Sequence, residues 1–257
     1  MVFETQSVRQ KLTEIQTAVD LAFRAPRQDF PVHPGRDAEI LVPGLLPPKK
    51  GLSYKEGQAR LLHDLASIEL QAMELGLRTL NEFPEAPLGF RESLAAITLS
   101  EAQHLKLCLD GIEKLGFPWG QWPIHNLLWQ SVAAEDSLLD RILIVHRYLE
   151  GSGLDAGDTL LRRLDSVLES PLHGIVKTIV TEEVGHVEFG SAWYREICAQ
   201  EKIDPIEDFP VRMKKLRHRL PKRIERISHS LRLQAGFHLK EIQFLEEMRR
   251  EISKFQG

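Results

Sequence analysis

The chain has 257 residues, of which 42% are hydrophobic and 27% are charged. This length suits one main domain with extensions and is too short for two large cores. The formal net charge of -4 and the pI near 6.2 exclude the strong overall positive field that bulk nucleic-acid binding requires.

The cysteines and the apolar runs suggest where the protein works. Only Cys108 and Cys198 are present, too few for a disulfide framework or a zinc ribbon. The amino terminus has no basic patch followed by an apolar run, and no apolar stretch approaches the roughly 18 residues of a membrane span. We therefore expect a cytoplasmic protein without a membrane partner.

The first 50 residues predict a short packing helix and an irregular arm. Apolar residues recur at helical spacing over residues 7–24. Six prolines follow between residues 26 and 50, and each removes a backbone donor. Ser53 and Glu56 then match a capping box, which predicts that a long helix starts there.

The rest of the chain predicts helices throughout, because apolar residues recur at helical spacing and no strand-like alternation competes. Gly151 and Gly153 are expected to end the third long helix, and Ser170 to cap the fourth before Pro171. The predicted long helices cover about 53–80, 90–116, 138–150 and 171–193, with a minor helix at 158–168 and a last one at about 222–255.

Two of these helices contain the motif Glu-x-x-His, at Glu101 and His104 and again at Glu183 and His186. Residues three apart share a helix face, so each motif can offer a carboxylate and an imidazole to one metal. Both acids lie on apolar stripes that should face a core. A lone ionised carboxylate is unfavourable there, so these acids are expected to be paired or bound to a cation.

Glu69 and Glu150 lie on similar apolar stripes of the first and third helices. Glu69 precedes Glu101 by 32 positions and Glu150 precedes Glu183 by 33, so one helical hairpin design occurs twice. Four carboxylates and two imidazoles suit two divalent ions, and imidazole favours iron or manganese over calcium. Salt bridges to Lys or Arg are the alternative explanation for these acids.

Glu from two helices plus Glu-x-x-His from the other two is the ligand pattern of ferritin-like di-iron and di-manganese proteins. The predicted fold class is therefore all-α, a ferritin-like four-helix bundle with helical extensions at both ends. Residues 51–202 are predicted to form the bundle, residues 1–50 the amino-terminal helix and arm, and residues 203–257 a basic tract and the last helix.

Four segments also resemble a known family: LASIELQA from Leu65, EAQH from Glu101, LEGSGLD from Leu149 and EVGHV from Glu183. They are similar to the ferritin-like family termed domain of unknown function 455, over about residues 51–198 and more loosely 231–237. This family is distantly similar to the tRNA-modifying di-iron hydroxylases. The resemblance implies a fold and a metal site, and implies no substrate.

Two departures from the family pattern bear on the residues around the site. Ser67 stands where members often have His, and Gly151-Ser152 stands where they often have Ala-Arg.

Further residues are candidates for supporting roles. Three lie near the proposed ligands in sequence and could hold them in place: His63, His146 and Tyr148. Residues 212–226 contain eight Lys or Arg and one acid, so phosphate or RNA contact is considered for Lys214, Lys215 and Arg217. The tract lacks interleaved aromatic residues, which favours a solvated helix end instead.

The leading functional hypothesis is an oxygen- or peroxide-dependent oxidoreductase, of oxygenase or oxidase type, with two iron ions or, alternatively, manganese. It would need an electron donor and a small-molecule or modified-RNA substrate. A second hypothesis is a ferroxidase, iron-storage or manganese-catalase-like protein. A third is an RNA-binding or scaffold protein with a metal-stabilised helical core.

Overall fold

The computed structural model describes residues 2–164, 171–223 and 225–254. Over these residues the protein is all-α, as predicted, with one isolated backbone bridge between Ile40 and Ile124 and no β-strand. The chain divides into two compact units. The first comprises Met1–Trp129 and Glu169–Ile175, and the second comprises Gln130–Leu168 and Val176–Gly257.

The first unit is built on three helices, α1 (Val8–Arg24), α2 (Lys55–Glu82) and α3 (Leu88–Lys114). α2 and α3 form an antiparallel hairpin, since Gly76 packs against Thr98 near one end while Leu62 meets Gly111 near the other. The predicted bounds of all three helices are confirmed to within a few residues. α1 lies against both helices of the hairpin.

The predicted capping box before α2 is wrong. Tyr54 is the N-cap residue and makes no side-chain hydrogen bond to the helix. The carboxylate of Glu56 instead accepts from Lys50, with 2.5 Å between Nζ and Oε2. An ion pair with a neighbouring lysine has replaced the backbone contact that the motif predicted.

A buried ionic cluster holds the irregular arm against α2. Both oxygens of Glu74 accept from the Arg36 guanidinium, at 2.8 and 2.6 Å, and one also accepts from Lys11 at 2.7 Å. All three side chains are almost fully buried. Burial lowers the pKa of Lys11, while the contact with Glu74 opposes this shift. The cluster joins α1 and the arm to one carboxylate of α2.

The second unit begins with one continuous helical rod of three segments. These are α4 (Leu138–Ile142), a π-helical turn (Leu143–Leu149) and α5 (Glu150–Leu164). Ser137 and Asp140 form a capping box at its start.

Four more α-helices follow the rod in the described residues. The long helix α6 (Pro171–Glu201) is the first of them, and the other three are shorter. They are α7 (Pro205–Leu216), α8 (His229–Gln234) and α9 (Leu239–Lys254).

The predicted end of the third long helix at Gly151 and Gly153 is wrong, because both glycines lie inside α5. A β-carbon at Gly151 would lie 2.1 Å from a guanidinium nitrogen of Arg232. The glycine is thus required by close packing and does not end the helix. The predicted minor helix is the continuation of α5 to Leu164, and residues 165–168 and Ser170 with its predicted cap lie outside the described residues.

The predicted last helix at 222–255 is also wrong in extent. Within residues 222–228, the described residues are not helical. The helical part of the predicted segment is divided into α8 and α9. Gly236 ends α8 with a φ of 80°, and the Phe237 amide closes the helix end on the carbonyl of Arg232 at 3.0 Å. Phe255 lies outside the described residues, and α7 was not predicted.

Among the helices described, none combines the length and the apolar character needed to cross a membrane.

Candidate metal centre

The first unit brings together Glu69 from α2 and Glu101 and His104 from α3. The Nδ1 atom of His104 lies 3.5 Å from an oxygen of Glu69 and 3.5 Å from an oxygen of Glu101. All three residues are at most 3% exposed. The antiparallel hairpin produces this cluster, because it places the middle of α2 beside the middle of α3. Glu101 and His104 each offer a ligand atom within 4.8 Å of the other.

The imidazole of His104 offsets part of the negative charge in this cluster. Burial alone would lower the pKa of His104, but hydrogen bonds to Glu101 and Glu69 raise that pKa to about 11. Without a metal, His104 is therefore an imidazolium between two carboxylates. Cys108, one turn further along α3, is buried; burial and the nearby Glu69 raise the pKa of its thiol.

The second unit holds Glu150 at the start of α5, immediately after the π-helical turn. His146, within that turn, donates from Nδ1 to the Glu150 carboxylate and lies 2.9 Å from each oxygen. The amide of Glu150 bonds to the carbonyl of Val145, five residues earlier, as a π-helix requires. π-helical turns occur frequently at functional sites.

His146 is held from its other side by α6. A β-carbon at Gly190 would lie 2.4 Å from the β-carbon of His146, so the glycine allows the two helices to approach. The His146 ring also meets Phe189 edge-to-face, with 5.0 Å between centroids. The Nε2 atom of His146 is buried and has no hydrogen-bond partner in the part of the chain that the structure describes.

The second Glu-x-x-His motif lies on α6. The Nδ1 atom of His186 is 3.7 Å from an oxygen of Glu183, and both residues are buried. A possible ligand atom of Glu183 lies within 4.8 Å of a possible ligand atom of His186. The apolar stripe that the sequence indicated around Glu183 therefore does face a core.

All six predicted ligands are buried, including the four acids, which are 1 to 9% exposed. Carboxylate oxygens and imidazole nitrogens are ligands that first-row divalent ions accept. The Nε2 atom of His146, which has no partner among the described residues, is a further nitrogen ligand of this kind. The residues present therefore fit a metal, and each unit holds buried Glu and His residues that could bind one.

Two of the residues considered as supports for the ligands, His63 and Tyr148, contact other groups of the protein. His63 stacks on Trp119 with 4.5 Å between centroids, and its Nε2 accepts from the amide of Gly120 at 3.1 Å. Burial lowers the pKa of His63 to about 4. Tyr148, in the π-helical turn, donates its hydroxyl to the carbonyl of Pro221 at 2.7 Å.

The basic tract divides between helix α7, a 3-10 helical turn (Arg217–Arg219) and the segment that follows this turn. Lys215 pairs with Asp140 at 3.2 Å, and Arg217 pairs with Glu251 at 2.9 Å. The amine of Lys214 lies 5.9 Å from the ring centroid of Phe244.

Sequence reasoning missed the buried ionic groups that brace the rod carrying Glu150. Asp155 accepts from the guanidiniums of Arg232 and Arg249, at 2.7 and 2.8 Å. Arg147 forms two hydrogen bonds with Glu241, at 2.9 and 2.7 Å. These partners are 77 to 94 positions apart, and no local pattern links them. Buried ion pairs therefore hold helices α8 and α9 against the rod.

Arg147 also lies against aromatic rings. Its guanidinium carbon is 4.4 to 4.9 Å from the ring centroids of Tyr194, Phe209 and Phe237. Cation–π contact of this kind partly replaces the water that a buried guanidinium has lost.

The fold and the buried residues define an all-α protein with a cluster of Glu and His that could bind a metal. Residues 3–243 match the family described as "Protein of unknown function (DUF455)", and the chain belongs to this family. The resemblance to the domain of unknown function 455 family is therefore confirmed.

A relative in Haemophilus influenzae (strain ATCC 51907 / DSM 11121 / KW20 / Rd), described as "Uncharacterized protein", is 28% identical over 216 residues. The alignment covers 81% of this chain and 74% of that protein. No solved structure matches the chain.

Proposed function

We propose that this protein is a ferritin-like di-metal carboxylate protein and acts as an oxygen- or peroxide-dependent oxidoreductase. The ions would be two iron ions, with manganese as the alternative. The observation that carries the proposal is the burial, in each unit, of a carboxylate and an imidazole three residues apart, together with one further buried acid. The proposed ligands are Glu69, Glu101, His104, Glu150, Glu183 and His186.

The charges of these residues support two ions rather than one. Four carboxylates carry four negative charges, which two divalent ions would neutralise. His104 can bind only after its imidazolium loses a proton, so metal uptake is expected to release protons. His146 would hold the carboxylate of Glu150 in place through its Nδ1 hydrogen bond.

When bound, a pair of iron ions supplies redox chemistry with oxygen or peroxide. The protein contributes the enclosing apolar surroundings and the hydrogen bonds that fix each ligand. A substrate and an electron donor would complete the reaction.

The test measures metal content after purification with iron or manganese, by elemental analysis. We expect about two ions per chain in the wild type, and a large loss in both Glu101→Ala and Glu183→Ala. Glu182→Ala is the matched control, because Glu182 precedes Glu183 on the same helix but is exposed. Circular dichroism verifies that each variant folds.

Full metal content in both folded variants, or a wild type that takes up neither ion, would contradict the metal site. Oxygen consumption by the reduced, iron-loaded protein tests the oxidoreductase assignment separately. Oxidation of added ferrous iron without turnover of any organic reductant would favour the ferroxidase alternative.

A further inference from the structure

The second unit contains a cavity of about 430 Å³ beside the π-helical turn. Cavities of this size hold single small molecules. One part of its lining is cationic and another part is apolar. The cations are Lys214, Arg217 and Lys222, and the apolar groups are Tyr148, Leu220 and Met248.

The positive charge of the cavity is largely uncompensated. Arg217 pairs with Glu251, whereas Lys214 and Lys222 form no ion pair with any residue that the structure describes. No acid is found among the described residues of the lining, to which His218 also belongs. Two or three cations around one cavity favour an anion of more than one charge.

The apolar side indicates what else the ligand carries. Leu220 and Met248 are buried, and so is the ring of Tyr148. The Tyr148 hydroxyl already donates to the carbonyl of Pro221. A ligand would therefore contact the ring of Tyr148 and would not accept a hydrogen bond from its hydroxyl. A ligand that fills the cavity would therefore have an apolar or ring-shaped body beside its anionic group.

We propose that this cavity binds a small phosphate ester, with the phosphate between Lys214, Arg217 and Lys222 and the ester group against Met248 and Leu220. Phosphate matches the lysine and arginine donors and carries the required double charge. The proposal does not depend on a bound metal.

A nucleic-acid strand fits this site less well than a small molecule. Strand binding uses a long basic groove with successive aromatic platforms for stacking. Here the cations converge on one cavity, and Tyr148 is the one Phe, Tyr or Trp residue among its described lining.

Isothermal titration calorimetry with phenyl phosphate tests the proposal, with inorganic phosphate and phenol as partial probes. We expect phenyl phosphate to bind more tightly than either. Lys214→Gln and Lys222→Gln should each weaken binding about tenfold or more, because each removes a charge-assisted hydrogen bond. Lys215→Gln is the matched control, since it removes the same charge next to Lys214 from a residue that pairs with Asp140 and does not line the cavity.

Two outcomes would overturn the proposal. One is failure of the folded wild type to bind phenyl phosphate; if the protein then retains a short single-stranded RNA, the basic surface is assigned to nucleic acid instead. The other is an equal loss of affinity in Lys215→Gln, which would show that only overall charge matters.

Discussion

The two Glu-x-x-His motifs are alike in sequence, but the carboxylates of the two units have different histidine neighbours. In the first unit a single imidazole, His104, serves two carboxylates. In the second unit Glu183 lies beside His186, while Glu150 has an imidazole of its own, His146. A repeated motif therefore determines which ligand types are present, and the neighbouring residues determine how each is held.

The two units also differ in what supports the helix that carries the additional acid. α2, which bears Glu69, is joined to α1 and the arm through Glu74, whereas the rod bearing Glu150 is joined to α8 and α9 through Asp155 and Arg147. Four measurements, given in order of decreasing expected effect, test this contrast.

Asp155→Asn should cause the largest loss of stability, about 3–5 kcal/mol, because it leaves two buried guanidiniums without their carboxylate. Urea unfolding followed by circular dichroism measures it. Asp158→Asn is the control, since Asp158 pairs with the exposed Arg162 on the same helix and should change stability by less than about 1 kcal/mol. Similar losses in the two variants would refute the bracing role of Asp155.

Two buried histidines of the first unit should have pKa values that are shifted in opposite directions in the metal-free protein. The pKa of His104 is about 11 and that of His63 about 4, so NMR should find His104 protonated and His63 neutral at pH 7. Glu69→Gln should lower the pKa of His104 by about one to three pH units, because one of its two carboxylates is lost. An unchanged His104 titration would contradict the proposed pairing.

These shifts have opposite consequences for stability. The pKa of His104 is raised, so its contribution is present below the ordinary value of 6.5 and is lost as the pH rises towards 11. The pKa of His63 is lowered, so its contribution is present above 6.5 and is lost as the pH falls towards 4. Urea unfolding across this pH range measures both.

Gly190→Ala should destabilise the second unit by about 1–3 kcal/mol, because the new methyl group meets the β-carbon of His146. Gly185→Ala is its control on the same helix. Among the described residues, no atom would lie within 4 Å of a β-carbon at Gly185, so alanine should stabilise α6 by up to about 1 kcal/mol. Thermal unfolding of the two variants should shift in opposite directions, and shifts of the same sign would disprove the close approach.

Features that depend on local periodicity could be predicted from the sequence. The bounds of α1, α2 and α3 follow from apolar spacing, and the burial of Glu101 and Glu183 follows from their positions on apolar stripes. Such patterns report which face of a helix is buried, whatever residue occupies it.

Features that depend on distant partners could not be predicted. Gly151 was interpreted as a helix end, although it makes room for Arg232, which lies 81 positions further along the chain. The division of the last helix at Gly236 and the buried pairs of Arg147 and Asp155 likewise depend on tertiary packing. Propensity alone carries no information about these contacts.

The π-helical turn makes the second unit sensitive to a very small genetic change. Loss of one in-frame codon within residues 143–149 would allow ordinary α-helical hydrogen bonding and rotate the preceding part of the rod by about 100° relative to Glu150. Such a deletion could spare all six proposed ligands, because none of them lies within residues 143–149. It would nevertheless turn the part of the rod before the deletion towards different neighbours, so a homologue one residue shorter here should pack that part of the rod in another way.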